Sequence, residues 1–178
     1  MFCIGICQNY PDFLARIISA ALTESGRPVF YCDGKVIQIP KKDATRVTIL
    51  LSSEPYDSEI PFDLCVYEPN FSKTAPTCYA SLAIIPDTLR PVQFQGAQHV
   101  ITYGLCQKNT VTVSSLVGED LVIAIQREIP TLLGETVDAQ EFHVKFSQFG
   151  DINDTLAIVS TLLVSGVSPE KISELSKQ

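Results

Sequence analysis

Tryptophan is absent, the only methionine is Met1, and histidine occurs twice, at His99 and His143. Six cysteines are present, but none lies in a CxxC pair or at metal-ligand spacing from a histidine, which excludes the common structural zinc sites. Basic residues are scarce: 13 Lys and Arg stand against 20 Asp and Glu, giving a net charge of -7, and no basic cluster occurs. Binding to nucleic acid depends on neutralising phosphates, so nucleic acid is not an expected partner. Long apolar runs are also missing. The longest, Leu156 to Val167, is broken by Ser160, Thr161 and Ser165 and is too short to cross a bilayer. The first residues enter an apolar run with no basic segment before it, so the expectation is a cytoplasmic protein with no membrane contact. No linker, repeat or low-complexity segment interrupts the chain.

What remains is a chain of 178 residues with 46% hydrophobic content, enough for the core of one domain. Phe2 to Ile6 reads as a buried strand, and Phe13, Leu14, Ile17, Ile18, Ala21 and Leu22 recur at helical spacing until Gly26. A strand, a tight loop and a helix form the unit in which α/β proteins hold phosphate. This loop, Gln8-Asn9-Tyr10-Pro11-Asp12, has neither glycine nor lysine. Instead Asn9 suits an N-cap, Pro11 suits the first turn, and the Asp12 carboxylate complements the helix dipole. The simplest reading is a self-capped helix with no ligand.

Unbroken apolar runs predict a parallel sheet from residues 2–7, 28–32, 46–51, 62–67, 81–86 and 99–103, with 2–7 in its interior and helix 11–25 packed on it. Asp33-Gly34 predicts a hairpin turn into 35–39. After Thr110 the pattern becomes antiparallel, with strands expected at 110–114, 120–127 and 141–146 and turns at 117–120 and Gly134. Ile158, Leu162 and Leu163 mark the apolar face of a later helix, and Ser168-Pro169 opens a further short one. Cys3, Cys7, Cys32, Cys65, Cys78 and Cys106 lie mostly in apolar runs and read as free, buried thiols. Cys7 stands just before a helix N-terminus, where thiolates are stabilised, but no base is evident beside it, and His99 and His143 read as strand residues.

Four segments, in order, resemble the central, ATPase-type domain of the Mur ligases. These are Ile4 to Val29, Phe62-Asp63-Leu64-Cys65-Val66-Tyr67-Glu68, His99-Val100-Ile101-Thr102-Tyr103-Gly104, and Gly150-Asp151-Ile152-Asn153-Asp154-Thr155-Leu156-Ala157. The resemblance implies a P-loop or Rossmann-like α/β fold, with a mainly parallel sheet, flanking helices and a small antiparallel side sheet. It implies one domain over 1–178: a parallel core at 1–104, an antiparallel extension at 105–149 and C-terminal helices at 150–178. The same register puts the family's loop glycines on Gln8 and Pro11, its phosphate-binding lysine on Asp12 and its magnesium-binding hydroxyl on Phe13. Glu68 alone falls on a metal-linked position. The segment carrying the family's catalytic histidine and carbamylated lysine has no counterpart between Asp87 and His99, and neither flanking domain of the family is matched. The family's adenine-linked asparagine falls on Leu156.

The resemblance therefore implies a degenerate P-loop and a pseudoenzyme, with no catalytic residue, no cofactor and no metal. Its expected role is that of a binding, regulatory or structural partner linked to the cell envelope. A second reading keeps the crevice at the carboxyl edge of the sheet as a small-molecule site of an enzyme or sensor, lined by Gln8, Asn9, Asp12, Glu68 and Asp87. A third is residual ATP-dependent ligase activity. The expected partner is another protein or a second copy of the chain. Leu121, Ile123, Leu132 and Leu133 are the apolar residues expected to lie exposed for it.

Overall fold

The computed structural model describes residues 2–8, 13–27, 29–32, 49–52, 61–71, 79–89 and 97–177. Among these, the elements in chain order are β1 (Phe2–Cys7), α1 (Phe13–Glu24), β2 (Val29–Cys32), β3 (Ile49–Ser52), β4 (Phe62–Tyr67), β5 (Ala80–Pro86), β6 (His99–Tyr103), β7 (Val111–Val117), β8 (Asp120–Ile125), β9 (Ile129–Pro130), β10 (Thr136–Val137), β11 (Gln140–Lys145), α2 (Ile152–Val164) and α3 (Pro169–Leu175). Nine strands make one sheet in the order β11-β8-β7-β6-β5-β4-β1-β3-β2. All pairings from β2 through to β6 are parallel, as expected from their unbroken apolar runs. β1 lies between β3 and β4, inside the sheet. The hairpin expected at Asp33-Gly34, the strand at 35–39 and residues 46–48 lie outside the described residues.

The antiparallel strands continue the main sheet. β7 joins β6 through the pair Tyr103↔Val111, and β8 and β11 then add in antiparallel register. A separate two-stranded sheet, β9 with β10, completes the antiparallel part. Leu121 and Ile123, expected on the surface, are fully buried in the main core, because β8 is an interior strand facing α2 and α3 with its odd-numbered side chains. Leu132 is partly buried against the same core, and Leu133 is the exposed member of the four.

α1 and α2 run side by side in the same direction. At their N-terminal ends the Phe13 ring lies against Gly150. At their C-terminal ends the Arg27 guanidinium donates to the Gly166 carbonyl at 2.6 Å. That bond satisfies a carbonyl left over at a helix end, in the manner of a basic C-cap. The two helices cover one face of the sheet through Ile4, Ile6, Leu64, Ile84, Ile101 and Tyr103. The opposite face carries a smaller cluster built on Cys7, Phe62, Cys65, Tyr67 and Phe71.

β11 is a sheet edge, and an edge strand presents unpaired backbone groups that invite aggregation. α3 covers it with hydroxyls: Ser173 Oγ donates to the His143 carbonyl at 2.6 Å, and Ser176 Oγ accepts from the Lys145 N–H at 3.1 Å while donating to the Ser173 carbonyl. Ser176 is fully buried, so its loss leaves two backbone groups without their partner. Ser176→Ala is expected to lower stability by about 1–3 kcal/mol. Urea unfolding checks this, with the midpoint falling at unchanged slope.

Candidate functional site

In the order β6-β5-β4-β1 the parallel strands are neighbours, so their carboxyl ends form one continuous edge. Gly104, Asp87, Glu68 and Gln8 follow these strands directly, and the N-termini of α1 and α2 meet at the same edge through Phe13 and Gly150. The fold thus brings three of the sequence-predicted crevice residues, Gln8, Glu68 and Asp87, onto adjacent strand ends. Asn9 and Asp12, with the expected N-cap, lie outside the described residues.

Tyr103 lies at the centre of this edge. Its side chain is fully buried and its hydroxyl donates to the Tyr67 carbonyl at 2.6 Å, reaching from β6 across β5 to β4. Burial is the first reason that the phenol is held well above its ordinary value of 10.0; the charges of Asp154, Glu68, Asp87 and Asp151 follow in that order. Four carboxylates therefore act on one hydroxyl, and the local field is negative.

Asp87 is fixed from two sides. Its N–H donates to the Tyr103 carbonyl at 2.9 Å, and its Oδ2 accepts from Asn109 Nδ2 at 2.8 Å. The carboxylate lies over Gly104, where a Cβ would come within 2.3 Å of Oδ2 and φ is +147°. Only glycine fits that place. Asp151 and Asp154 form a capping box at the start of α2: Asp151 Oδ1 accepts from the Asp154 N–H at 2.8 Å, and Asp154 Oδ2 accepts from the Asp151 N–H at 3.5 Å. Glu68 donates its backbone N–H to the Cys7 carbonyl at 2.9 Å, which seats it beside Gln8. Gln8 is 5% exposed, and its Nε2 is buried with no hydrogen-bond partner among the described residues.

Phe13, the first of the apolar residues at helical spacing, is 43% exposed. It opens α1 at the helix end, so the helical stripe that buries Leu14, Ile18 and Leu22 leaves its ring at the crevice, against Gly150 and beside Asp154. Cys7 is fully buried, and desolvation pushes its thiol up to about 12 despite the Tyr67 hydroxyl beside it. It is a protonated structural thiol, which the absence of a neighbouring base anticipates. The expectation of free thiols throughout fails at Cys65, which is disulfide-bonded. Spacing alone does not reveal this bond, because no CxxC-type pattern occurs among the six cysteines. Cys3, Cys7 and Cys106 are free, and Cys106 is exposed.

No family model and no curated protein matches this sequence. Solved structures do match by shape. MurF from Acinetobacter baumannii aligns over 99% of this chain at TM-score 0.52 and 12% identity. A murein peptide ligase, Mpl, from Psychrobacter arcticus 273-4 aligns over 98% at TM-score 0.56 and 9% identity. The chain has a Mur ligase-like fold. It spans 45% and 46% of those two chains, less than half of each. The fold class expected from the four resembling segments is therefore shown, at identities too low to carry function with it.

Sequence reasoning missed Tyr103, Asn109, Asp151 and Asp154 as members of this edge. The pair Asp151 and Asp154 carries a readable signal, an Asp-x-x-Asp spacing just before an apolar helix, which is the pattern of a capping box. Tyr103 and Asn109 have no such signal, since their place depends on which strands are neighbours. Among the described residues, no three His, Cys, Asp or Glu side chains come close enough together to hold one metal ion.

Two outcomes follow from this chemistry. The Asp154 carboxyl is held above its ordinary value of 3.8, by burial first and by Asp151 second. The folded chain keeps that proton longer than the unfolded chain, so its stability falls as pH rises from 3.8 through the raised value. Asp154→Asn keeps an acceptor for the Asp151 N–H without the charge. Its melting temperature is expected to rise relative to the unaltered protein between acid and neutral pH, and a difference that ignores pH would contradict the assignment. Separately, iodoacetamide on the native, unreduced protein should label Cys106 and spare Cys7 and Cys65, as read by peptide mass mapping.

Proposed function

We propose that this chain is a Mur ligase-like domain without ATP-dependent ligase chemistry, acting by binding. The observation that carries the reading is the crowd of carboxylates around Tyr103, namely Glu68, Asp87, Asp151 and Asp154, at the edge where this fold class holds phosphate. A nucleotide site needs freed backbone N–H groups, a positive side chain and a hydroxyl for magnesium. The residues present do not fit that group. Phe13 stands at the hydroxyl position implied by the resemblance, and the N-terminus of α2 is already occupied by its own Asp151 and Asp154. The described basic residues nearest in sequence, Arg16 and Lys108, are exposed, and Arg16 lies on the outer face of α1 with Ser19, Ala20 and Thr23.

The binding role extends to a protein partner or a second copy of the chain, and to a cytoplasmic setting alongside cell-envelope enzymes. The Asp-rich edge supports the loss of phosphate binding, while the identity of a partner rests on the resemblance alone. A second reading, a small-molecule site in the crevice, is favoured by one observation: the buried Gln8 Nε2, which has no hydrogen-bond partner among the described residues. Isothermal titration with Mg-ATP tests the main reading. No saturable heat is expected, and micromolar binding would overturn it. Phe13→Thr is expected to leave that result unchanged, because like charges remain across the phosphate position.

A further inference from the structure

We propose that the open edge of β7 is a docking site for an extended, basic segment of a partner protein, which adds to the sheet as one more strand beside Val113 and Leu116. The inference deepens the reading that this chain acts by binding, and rests on it; it names the surface and the chemistry of the partner.

β7 outruns its neighbour. β6 ends at Tyr103, which is paired with Val111, so among the described residues Thr112 to Val117 run past the end of β6 with a strand, β8, on one side alone. Gly104 donates its N–H to the Val111 carbonyl at 3.3 Å and, at φ +147°, turns the chain out of the line of β6. Antiparallel alternation then decides which backbone groups are left over. The Thr110 carbonyl accepts from the Gln126 N–H on the β8 side, Val111 faces β6, and Val113, two residues on, faces the same way as Val111. Beyond the bulge at Ser114, the turn Gly118-Glu119 closes on the pair Val117↔Asp120, so Leu116 also directs its N–H and C=O outward. Among the described residues, no backbone group bonds Val113 or Leu116 from that side. Ser114 to Val117 are all exposed, Val117 at 75%. A free strand edge of this kind is the surface to which extended peptides add.

The edge carries little that keeps another strand away. From Thr110 to Val117 no residue is charged and none is proline, the usual guards of an exposed edge. The bulge at Ser114 is the exception. It twists the strand out of the flat line that a second sheet needs, whereas a single extended segment can follow it. Charge then selects the segment. Asp87 lies over Gly104 at one end of the open stretch, and Glu119 and Asp120 are exposed at the other. An added strand continues the line of β6 past Gly104, so its alternate side chains face the side on which Tyr103 packs, where Asp151 and Asp154 cap α2. Against these acids stand Lys108, in the loop before β7, and Lys145, which register places beside Asp120 on the far side of β8. A second copy of a chain with net charge -7 meets repulsion here, while Lys or Arg side chains at alternate positions of a peptide meet carboxylates.

The test follows the backbone amide NMR signals of the full chain while an acetylated and amidated peptide, Lys-Val-Thr-Val-Lys-Val-Thr, is added at low ionic strength. Saturable shifts centred on Val113 and Leu116 are expected. The peptide with Glu in place of Lys should bind about tenfold more weakly. The Lys peptide N-methylated throughout, which keeps the charge and removes every main-chain donor, should leave the signals in place. Ser115→Lys, at an exposed position, should weaken the Lys peptide about tenfold and strengthen the Glu peptide, a reversal that loss of structure does not give. Glu119→Lys, also exposed, should give the same reversal and serves where Ser115→Lys fails to fold. Equal binding of the Lys and Glu peptides, binding that survives N-methylation, or light scattering that shows a dimer of the free chain separated by Ser115→Lys would each overturn the proposal. Silence from both the Lys peptide and Mg-ATP overturns the strand site alone, whereas saturation by Mg-ATP overturns the preceding reading and this one with it.

Discussion

Burial of α2 on every side is the constraint on which the rest depends. All ten residues from Thr155 to Val164 are buried, which is the mark of a helix enclosed by other elements and not one facing water. Its hydroxyls cannot reach solvent, so Thr155, Ser160 and Thr161 each donate to the carbonyl four residues earlier, at 2.7 Å. With both polar and apolar needs met internally, the helix can lie on the sheet beside α1, its ends fixed by Gly150 against Phe13 and by Gly166 against Arg27. Those two clamps decide where the crevice is. They bring the Asp151 and Asp154 capping box to the carboxyl edge, next to the ends of β4, β5 and β6.

The chemistry of that edge follows from how its acids are held. Asp87 is bonded to Asn109 and seated on Gly104, and Asp151 and Asp154 are bonded to each other's backbone. These carboxylates are structural before they are anything else, yet their charges add at Tyr103. A helix N-terminus ordinarily attracts anions; here the acids of the capping box already supply them. The negative field at this edge is thus set by side chains already engaged in the caps and turns of the fold.

The cysteines show a similar division. Cys7 and Cys65 belong to the same small cluster on the second face of the sheet, but one is a protonated thiol beside Tyr67 and the other is part of a disulfide. Both are buried, and neither has the exposed, electropositive surroundings of a reactive thiolate. The T-shaped contact between Tyr67 and Phe71, at 5.4 Å, closes the cluster at the crevice end.

The sequence by itself determined the class of fold and most of its elements. β4 and β6 begin and end where their apolar runs do, and β1 is interior because an unbroken run such as Phe2 to Cys7 must be covered on both faces. Local rules also placed α3, through the Ser168 cap and Pro169, since capping depends on a few adjacent residues. Three candidate residues, Gln8, Glu68 and Asp87, were readable because strand ends in a parallel sheet share one edge. Tertiary structure decided the rest. Leu121 and Ile123 belong to the apolar run 121–125, which spacing alone assigns neither to core nor to surface, and only the continuation of the sheet through β7 and β8 buries them. Phe13 fits the apolar stripe of α1 by period but opens the helix, where the stripe runs out into the crevice. The gathering of Asp154, Glu68, Asp87 and Asp151 around Tyr103 has no counterpart in spacing, because charge acts through space and those residues are brought together only by strand order and by the packing of α2.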